Sequence, residues 1–138
     1  MTVDTHTHLY LPDFEDPHGA VSRALAAGVG HLIFPNVDLG TIAPMKELHS
    51  AFSGSTSIAM GLHPTEIGGS WKEDMALIKA ELDSGANYVA IGEIGIDLYW
   101  DKQFREEQMQ AFRVQCEWAV ERGVPVIIHC REGLDEIL

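Results

Sequence analysis

Short apolar runs alternate with longer stretches of helical periodicity along the whole chain. Residues 1–8 predict a first strand, and Pro12 and Pro17 bracket a loop around Asp13-Phe14-Glu15-Asp16. A helix follows over 18–27, with Val21, Leu25 and Gly28 on one stripe and Gly28 and Gly30 as its stop. Residues 31–35 read as a second strand. Ile42, Met45, His49 and Phe52 then fall at helical spacing, behind a cap from Asp38 or Thr41 and before Gly54. The third strand spans 56–61 and leads into Leu62-His63-Pro64. Ser70 is a candidate cap for a helix over 71–83, where Met75, Ile78 and Leu82 recur at i, i+3 and i+7. A fourth strand over 87–92 ends in Glu93. The longest helix is predicted over 102–122, with Phe112, Cys116, Ala119 and Val120 as its apolar stripe and Gly123 as its stop. A fifth strand covers 124–129, and a last helix-like segment begins at Arg131 and runs to Leu138.

The strands are apolar runs without clean alternation, as expected when both faces of a sheet are covered. Strands alternating with helices in this way predict an α/β fold with a parallel sheet and right-handed crossovers. No internal repeat, low-complexity tract or linker divides the chain, so one domain is expected.

Composition narrows the class. The 138 residues are 46% hydrophobic and 22% charged, an ordinary balance for a chain that buries a core. No apolar run approaches the ~18 residues of a membrane span. The N-terminus carries no basic segment followed by an apolar one, so a cytoplasmic location is the default expectation. Cys116 and Cys130 fit no zinc-knuckle spacing and read as reduced, buried thiols. The net charge of −12 argues against a passive nucleic-acid binder. It leaves open an enzyme that cleaves phosphate esters, because bound divalent ions and a local arginine invert the field inside a site.

The candidate chemistry lies where odd polar residues meet strand ends. His6 and His8 follow the first strand, His63 the third, Glu93 the fourth, and His129 and Arg131 the fifth. Carboxyl ends of parallel strands are where ligands bind in open α/β sheets and in barrels alike. On a strand, positions i and i+2 share a face roughly 6–7 Å apart. His6 and His8 so placed reach one metal ion at ~2.1 Å each, and Asp4 has the same parity. Glu93, a carboxylate closing an apolar strand between two glycines, is costly unless paired or coordinated. His129 closes another such strand. His63 is a site or turn residue; Asp97 and Tyr99 are loop residues or supports behind the ligands; Arg131 is a phosphate contact or a helix cap. Cys130, of opposite strand parity to His129, reads as packing, and His18, His31 and His49 read as structural histidines.

Imidazole and carboxylate ligands suit Zn²⁺, Mn²⁺ or Fe²⁺, and carboxylate-rich sites also take Mg²⁺. Glu93 is the candidate to bridge two ions about 3.5–4 Å apart, an arrangement that activates water against a phosphoester. There is no glycine-rich phosphate loop and no Gly-x-Ser-x-Gly nucleophile motif.

At these residues the chain resembles the TatD family of metal-dependent deoxyribonucleases, in the amidohydrolase superfamily. The matching words are Asp4-Thr5-His6-Thr7-His8, Gly61-Leu62-His63-Pro64, Gly92-Glu93-Ile94-Gly95-Ile96-Asp97, Gln108 to Gln115 as Gln-x-x-x-Phe-x-x-Gln, and Pro125-Val126-Ile127-Ile128-His129-Cys130-Arg131. His-x-His alone is weak; the five words in this order and spacing are specific, and they extend over essentially the whole chain. The resemblance implies a distorted TIM-barrel-like (βα)8 fold and phosphodiester hydrolysis of DNA with exonuclease character. It also implies one or two divalent ions (Mg, Mn or Zn). His6 and His8 would hold one ion, Glu93 would bridge and serve catalysis, and His129 would hold the second. His63, also catalytic, and Arg131 would lie near the phosphate, with Asp97 as a motif neighbour.

The family pattern also sets a departure. Such a barrel takes about 250 residues and eight strands, and only five are expected here. A family histidine after strand six and an aspartate after strand eight have no counterpart in residues 1–138. The chain is therefore expected to be the N-terminal part of a barrel, closed by a missing C-terminal half or by a second copy. Two other functions compete: hydrolysis of an amide or lactone within the superfamily, and an inactive half-barrel serving only as an oligomerising module. DNA is the expected substrate, with no stable nucleic-acid binding from so acidic a surface and no membrane association.

Overall fold

Every strand of the chain is followed by a helix and lies parallel to the strand before it. The computed structural model describes all residues, 1–138. The strands are β1 (Thr2–Asp4), β2 (Val29–Pro35), β3 (Thr56–Met60), β4 (Tyr88–Asp97) and β5 (Val126–Arg131). The helices are α1 (Pro17–Ala26), α2 (Ile42–Ala51), α3 (Trp71–Leu82), α4 (Arg105–Arg122) and the single turn α5 (Leu134–Ile137). Short 3-10 turns at Leu39–Thr41 and Pro64–Glu66 follow β2 and β3. The sheet order is β1-β2-β3-β4-β5, parallel throughout. Each crossover advances one strand in the same direction, which is the winding of a (βα) barrel; a doubly wound sheet reverses direction part-way.

The core forms between the sheet and the helices. Leu32, Phe34, Ile58, Met60, Ile91 and Ile94 meet Val21, Met45, Leu48, Ile78 and Leu82, all at most 3% exposed. The helical stripe predicted from Met75, Ile78 and Leu82 is the buried face of α3. Helix ends follow local chemistry. Asp16 accepts a hydrogen bond from the Gly19 amide with Pro17 in the first turn of α1. Asp38 and Thr41, alternatives in the sequence, act together: each side chain accepts from the other's backbone N–H in the turn before α2. Gly123 ends α4 at φ 66°, a left-handed conformation glycine adopts without a Cβ penalty. Ser70 does not cap α3; its hydroxyl donates instead to Asp74.

α4 departs from expectation. Its buried residues are Gln108, Ala111, Gln115, Trp118 and Ala119, whereas Val120 is 82% exposed. The apolar count pointed to the neighbouring stripe because two glutamines occupy the inner one. Both are used as strand-like partners. Gln115 accepts from the Leu62 amide at 2.8 Å and donates to the Leu62 carbonyl at 3.3 Å. Gln108 accepts from the Asp97 amide at 2.8 Å and donates to the Asp97 carbonyl at 3.0 Å. Seven residues apart on one helix face, they pin the carboxyl ends of β3 and β4 about 10 Å apart along α4.

Strand limits also differ. β1 stops at Asp4, although Thr7 still donates its amide to Ile33 of β2 at 3.2 Å. β4 continues past Glu93 to Asp97, and β5 reaches Arg131. Between β4 and β5, Gly92 faces Ile127 and Ile94 faces Ile128, so Glu93 is the extra residue of a bulge. A bulge re-aims the side chain it carries. The flanking glycines allow it: a Cβ on Gly92 would meet the Ile127 Cβ at 2.6 Å, and one on Gly95 would meet the His129 carbonyl oxygen at 1.9 Å. No helix is long and apolar enough to cross a membrane.

Replacing Gln115 by Leu strands a buried amide and a carbonyl at Leu62, at ~1–3 kcal/mol for each unsatisfied group. Urea unfolding of Gln115→Leu should show a loss of about 2–4 kcal/mol; unchanged stability would show that the clamp contributes nothing.

Candidate metal centre

Four imidazoles converge on the Glu93 carboxylate, which is 3% exposed. His6 Nε2 and His8 Nε2 each lie 2.8 Å from Oε1 and 3.2 Å from one another. On the other oxygen, His129 Nδ1 stands 3.0 Å from Oε2 and His63 Nε2 3.3 Å from it. The side chains form two groups that share Glu93: His6, His8 and Glu93, and His63, Glu93 and His129. Burial opposes ionisation of Glu93, but when the rings around it are protonated their hydrogen bonds, from His63 and His8 first, the His63 charge and then the His6 hydrogen bond outweigh it. The carboxyl is held well below the usual carboxylate range.

Each contributor is positioned by its element. Because Thr7 stays paired with β2, His6 and His8 on either side of it turn to the same face, beyond the end of β1. Glu93 projects from the bulge of β4, and its amide donates to the Asn36 carbonyl at 3.0 Å. Asn36 is fully buried after β2. Its side chain donates to the Asp38 and Gly61 carbonyls and accepts from the Thr41 hydroxyl. It ties the ends of β2 and β3 to β4, and it escaped the sequence reading; a lone amide directly after an apolar strand was the available signal.

Hydrogen-bond partners assign the imidazole tautomers. Tyr10, 4% exposed, donates its hydroxyl to the Pro35 carbonyl and lies 2.9 Å from His8 Nδ1. The hydroxyl proton being used, His8 Nδ1–H donates to it, and in the neutral ring this puts the Nε2 lone pair toward Glu93. Burial and then the Glu93 charge push the Tyr10 phenol well above its ordinary range, so it stays a neutral donor. His129 Nε2 is 2.8 Å from Asp97 Oδ2, so its proton sits there and Nδ1 offers a lone pair to the site. His63 is arranged the other way. Its Nδ1 accepts the Thr65 amide at 3.2 Å, so the neutral ring carries its proton on Nε2 and aims it at Glu93.

The donor set suits a divalent cation. Ligand atoms about 2.1 Å from one ion lie roughly 3.0 Å apart in octahedral and roughly 3.4 Å apart in tetrahedral geometry. The contacts of 2.8, 2.8 and 3.2 Å among His6, His8 and Glu93 are close to that spacing. His6 Nε2, His8 Nε2 and Glu93 Oε1 face one another at these distances, and together they are a donor set that a divalent cation would fit.

Other expectations need correction or fall into place. Asp4, the last residue of β1, is exposed, and its carboxylate accepts the His6 amide at 3.1 Å. The Arg131 guanidinium lies 3.6 Å over the Tyr99 ring. Cys130 is exposed and Cys116 half-buried, both free. β5 has a sheet neighbour on one side only, which leaves Cys130 uncovered. His31 and His49 serve structure, bonding the Ser57 and Thr56 hydroxyls at 2.7 Å each, and His18 packs near Phe52.

Comparison with known proteins fits this geometry. The family model described as TatD related DNase matches residues 3–138. The chain belongs to the TatD family. It is 34% identical over 139 residues to the uncharacterized metal-dependent hydrolase YabD of Bacillus subtilis, covering 100% of this chain and 54% of that protein. It is 34% identical to the 3'-5' ssDNA/RNA exonuclease TatD of Klebsiella pneumoniae, over 98% of this chain and 51% of the relative. The crystal structure of the TatD homologue YjjV from Escherichia coli superposes with a TM-score of 0.86 at 31% identity, over 98% of this chain and 52% of that one. The chain thus spans about half the length of the relatives it matches. Its five parallel strands and their helices form a TIM-barrel-like half-barrel.

Tyr10→Phe should weaken Zn²⁺ or Mn²⁺ binding ~10–100-fold by calorimetry with unchanged far-UV circular dichroism, the usual consequence of losing a hydrogen bond behind a ligand. Equal affinity would remove Tyr10 from the site.

Proposed function

We propose that this chain carries the metal-binding half of a hydrolase that cleaves phosphodiester bonds in DNA. The observation that supports this most is the division of Glu93, one carboxylate oxygen for the His6–His8 pair and the other for His129 and His63. A single carboxylate with a separate imidazole environment on each oxygen is what a bridging ligand needs.

In this reading His6 Nε2, His8 Nε2 and Glu93 Oε1 would hold one divalent ion, Mg, Mn or Zn. Glu93 Oε2 and His129 Nδ1 would hold a second. Bound there, such ions lower the pKa of water and neutralise charge on a scissile phosphate. His63 stands apart from the ligands because its Nε2 carries a proton, and it donates a hydrogen bond to the phosphate or its leaving oxygen. Tyr10 and Asp97 fix the imidazole rings so that the ligand atoms need no reorganisation on binding. Residues 1–138 constitute the N-terminal half of the barrel, and the remaining strands complete the rim. With a net charge of −12, phosphate approaches only where bound cations and the rim arginine reverse the local field.

Names of relatives support the substrate class: the Klebsiella pneumoniae protein is a ssDNA/RNA exonuclease. Incubation of the protein with Mg²⁺ or Mn²⁺ and single-stranded DNA should release nucleotides, and EDTA should abolish the release. Glu93→Gln should lower the rate by roughly 10²–10³-fold, the scale for removing a principal electrostatic stabiliser. Undiminished activity in Glu93→Gln, or metal content well below one ion per chain with no hydrolysis, would contradict the proposal.

A further inference from the structure

Beyond Asp97 the chain enters the loop before α4 with Leu98, Tyr99 and Trp100. Leu98 is buried and anchors the turn, but Tyr99 is half exposed and Trp100 is 72% exposed. Their rings meet edge-on, 4.8 Å between centroids at 88°. The Arg131 guanidinium covers Tyr99 at 3.6 Å and lies 5.4 Å from the Trp100 ring. The indole presents an uncovered aromatic face beside the site.

Three features join this group to the metal centre. The Tyr99 amide donates to Asp97 Oδ1 at 3.1 Å, while Oδ2 of the same carboxylate holds His129. The Leu98 amide donates to the Arg131 carbonyl at 3.0 Å, which locks the loop to the end of β5. A cleft of about 560 Å³ runs from Pro64 and Thr65, next to His63, past Asp97 to Trp100 and Phe104. Arg131 forms no salt bridge, and its guanidinium plane is held by an aromatic ring.

Aromatic faces stack nucleobases in a sequence-tolerant way, and a guanidinium beside them binds the backbone phosphate. Bases inside a duplex are stacked and paired and offer no free face. We propose that Trp100, with Tyr99 and Arg131, forms a stacking subsite for one unpaired nucleobase of a single-stranded nucleic acid, next to the position of cleavage. This rests on the phosphodiesterase reading and adds to it the side chains that hold one base of the substrate.

The test is fluorescence anisotropy with the full chain and a labelled oligothymidylate, compared with an abasic strand of equal length and with a duplex. The wild-type protein should bind the base-bearing strand ~10-fold more tightly than the abasic one, within the range for stacking of one base, and more tightly than the duplex. Trp100→Ala should erase the preference over the abasic strand, and Trp100→Phe should keep most of it. Equal wild-type binding of base-bearing and abasic strands, no binding of either, or a preference that survives Trp100→Ala would overturn the subsite. Hydrolysis is read separately: metal-dependent cleavage without a base preference removes the subsite alone, and a base preference without cleavage removes the hydrolase reading alone.

Discussion

A carboxylate that is almost fully buried is the constraint on which the rest of this molecule depends. Desolvating Glu93 costs several kcal/mol unless partners compensate, and the four imidazoles around it do so when protonated or with a cation held among them. The backbone is shaped to bring the charge to that point. The bulge at Glu93 redirects its side chain, Gly92 and Gly95 let β5 approach, and Asn36 receives the Glu93 amide while tying the neighbouring strand ends together. Moving any of these would leave a buried charge without partners, a large penalty for a domain of this size.

The site is held from outside as well as from within. α4 lies across the sheet, and its two glutamines grip the backbone beside His63 and at Asp97. A helix that packs by apolar contact alone can slide by a fraction of a turn; one that completes backbone hydrogen bonds at two points has a single register. The imidazoles are then fixed one at a time. Tyr10 acts on His8, Asp97 on His129 and Thr65 on His63. In their neutral forms two rings present lone pairs toward Glu93 and one presents a proton, a difference made by their hydrogen-bond partners and not by residue type.

Much of this was legible in the sequence. The alternation of strands and helices predicted the parallel sheet, the family resemblance implied the barrel winding, and the polar residues at strand ends put His6, His8, His63, Glu93 and His129 on one rim. The failures share a cause: polar groups doing work that apolar patterns cannot report. Gln108 and Gln115 rotated the buried face of α4 away from Phe112 and Val120. Tyr10 and Asn36 are buried hydrogen-bonding residues whose partners lie 25 positions away or bridge three strands. Glu93 was placed at a strand end, whereas the strand passes through it, because a bulge is set by register between chains of residues rather than by composition.

The central claim is that Glu93 anchors a metal ion between His6 and His8 through one oxygen. Anomalous diffraction from crystals of the protein equilibrated with Zn²⁺ examines it directly. The expected map has a peak about 2.1 Å from His6 Nε2, His8 Nε2 and Glu93 Oε1. A well-ordered crystal with no peak among these three atoms, or with zinc bound only elsewhere on the chain, would contradict the account.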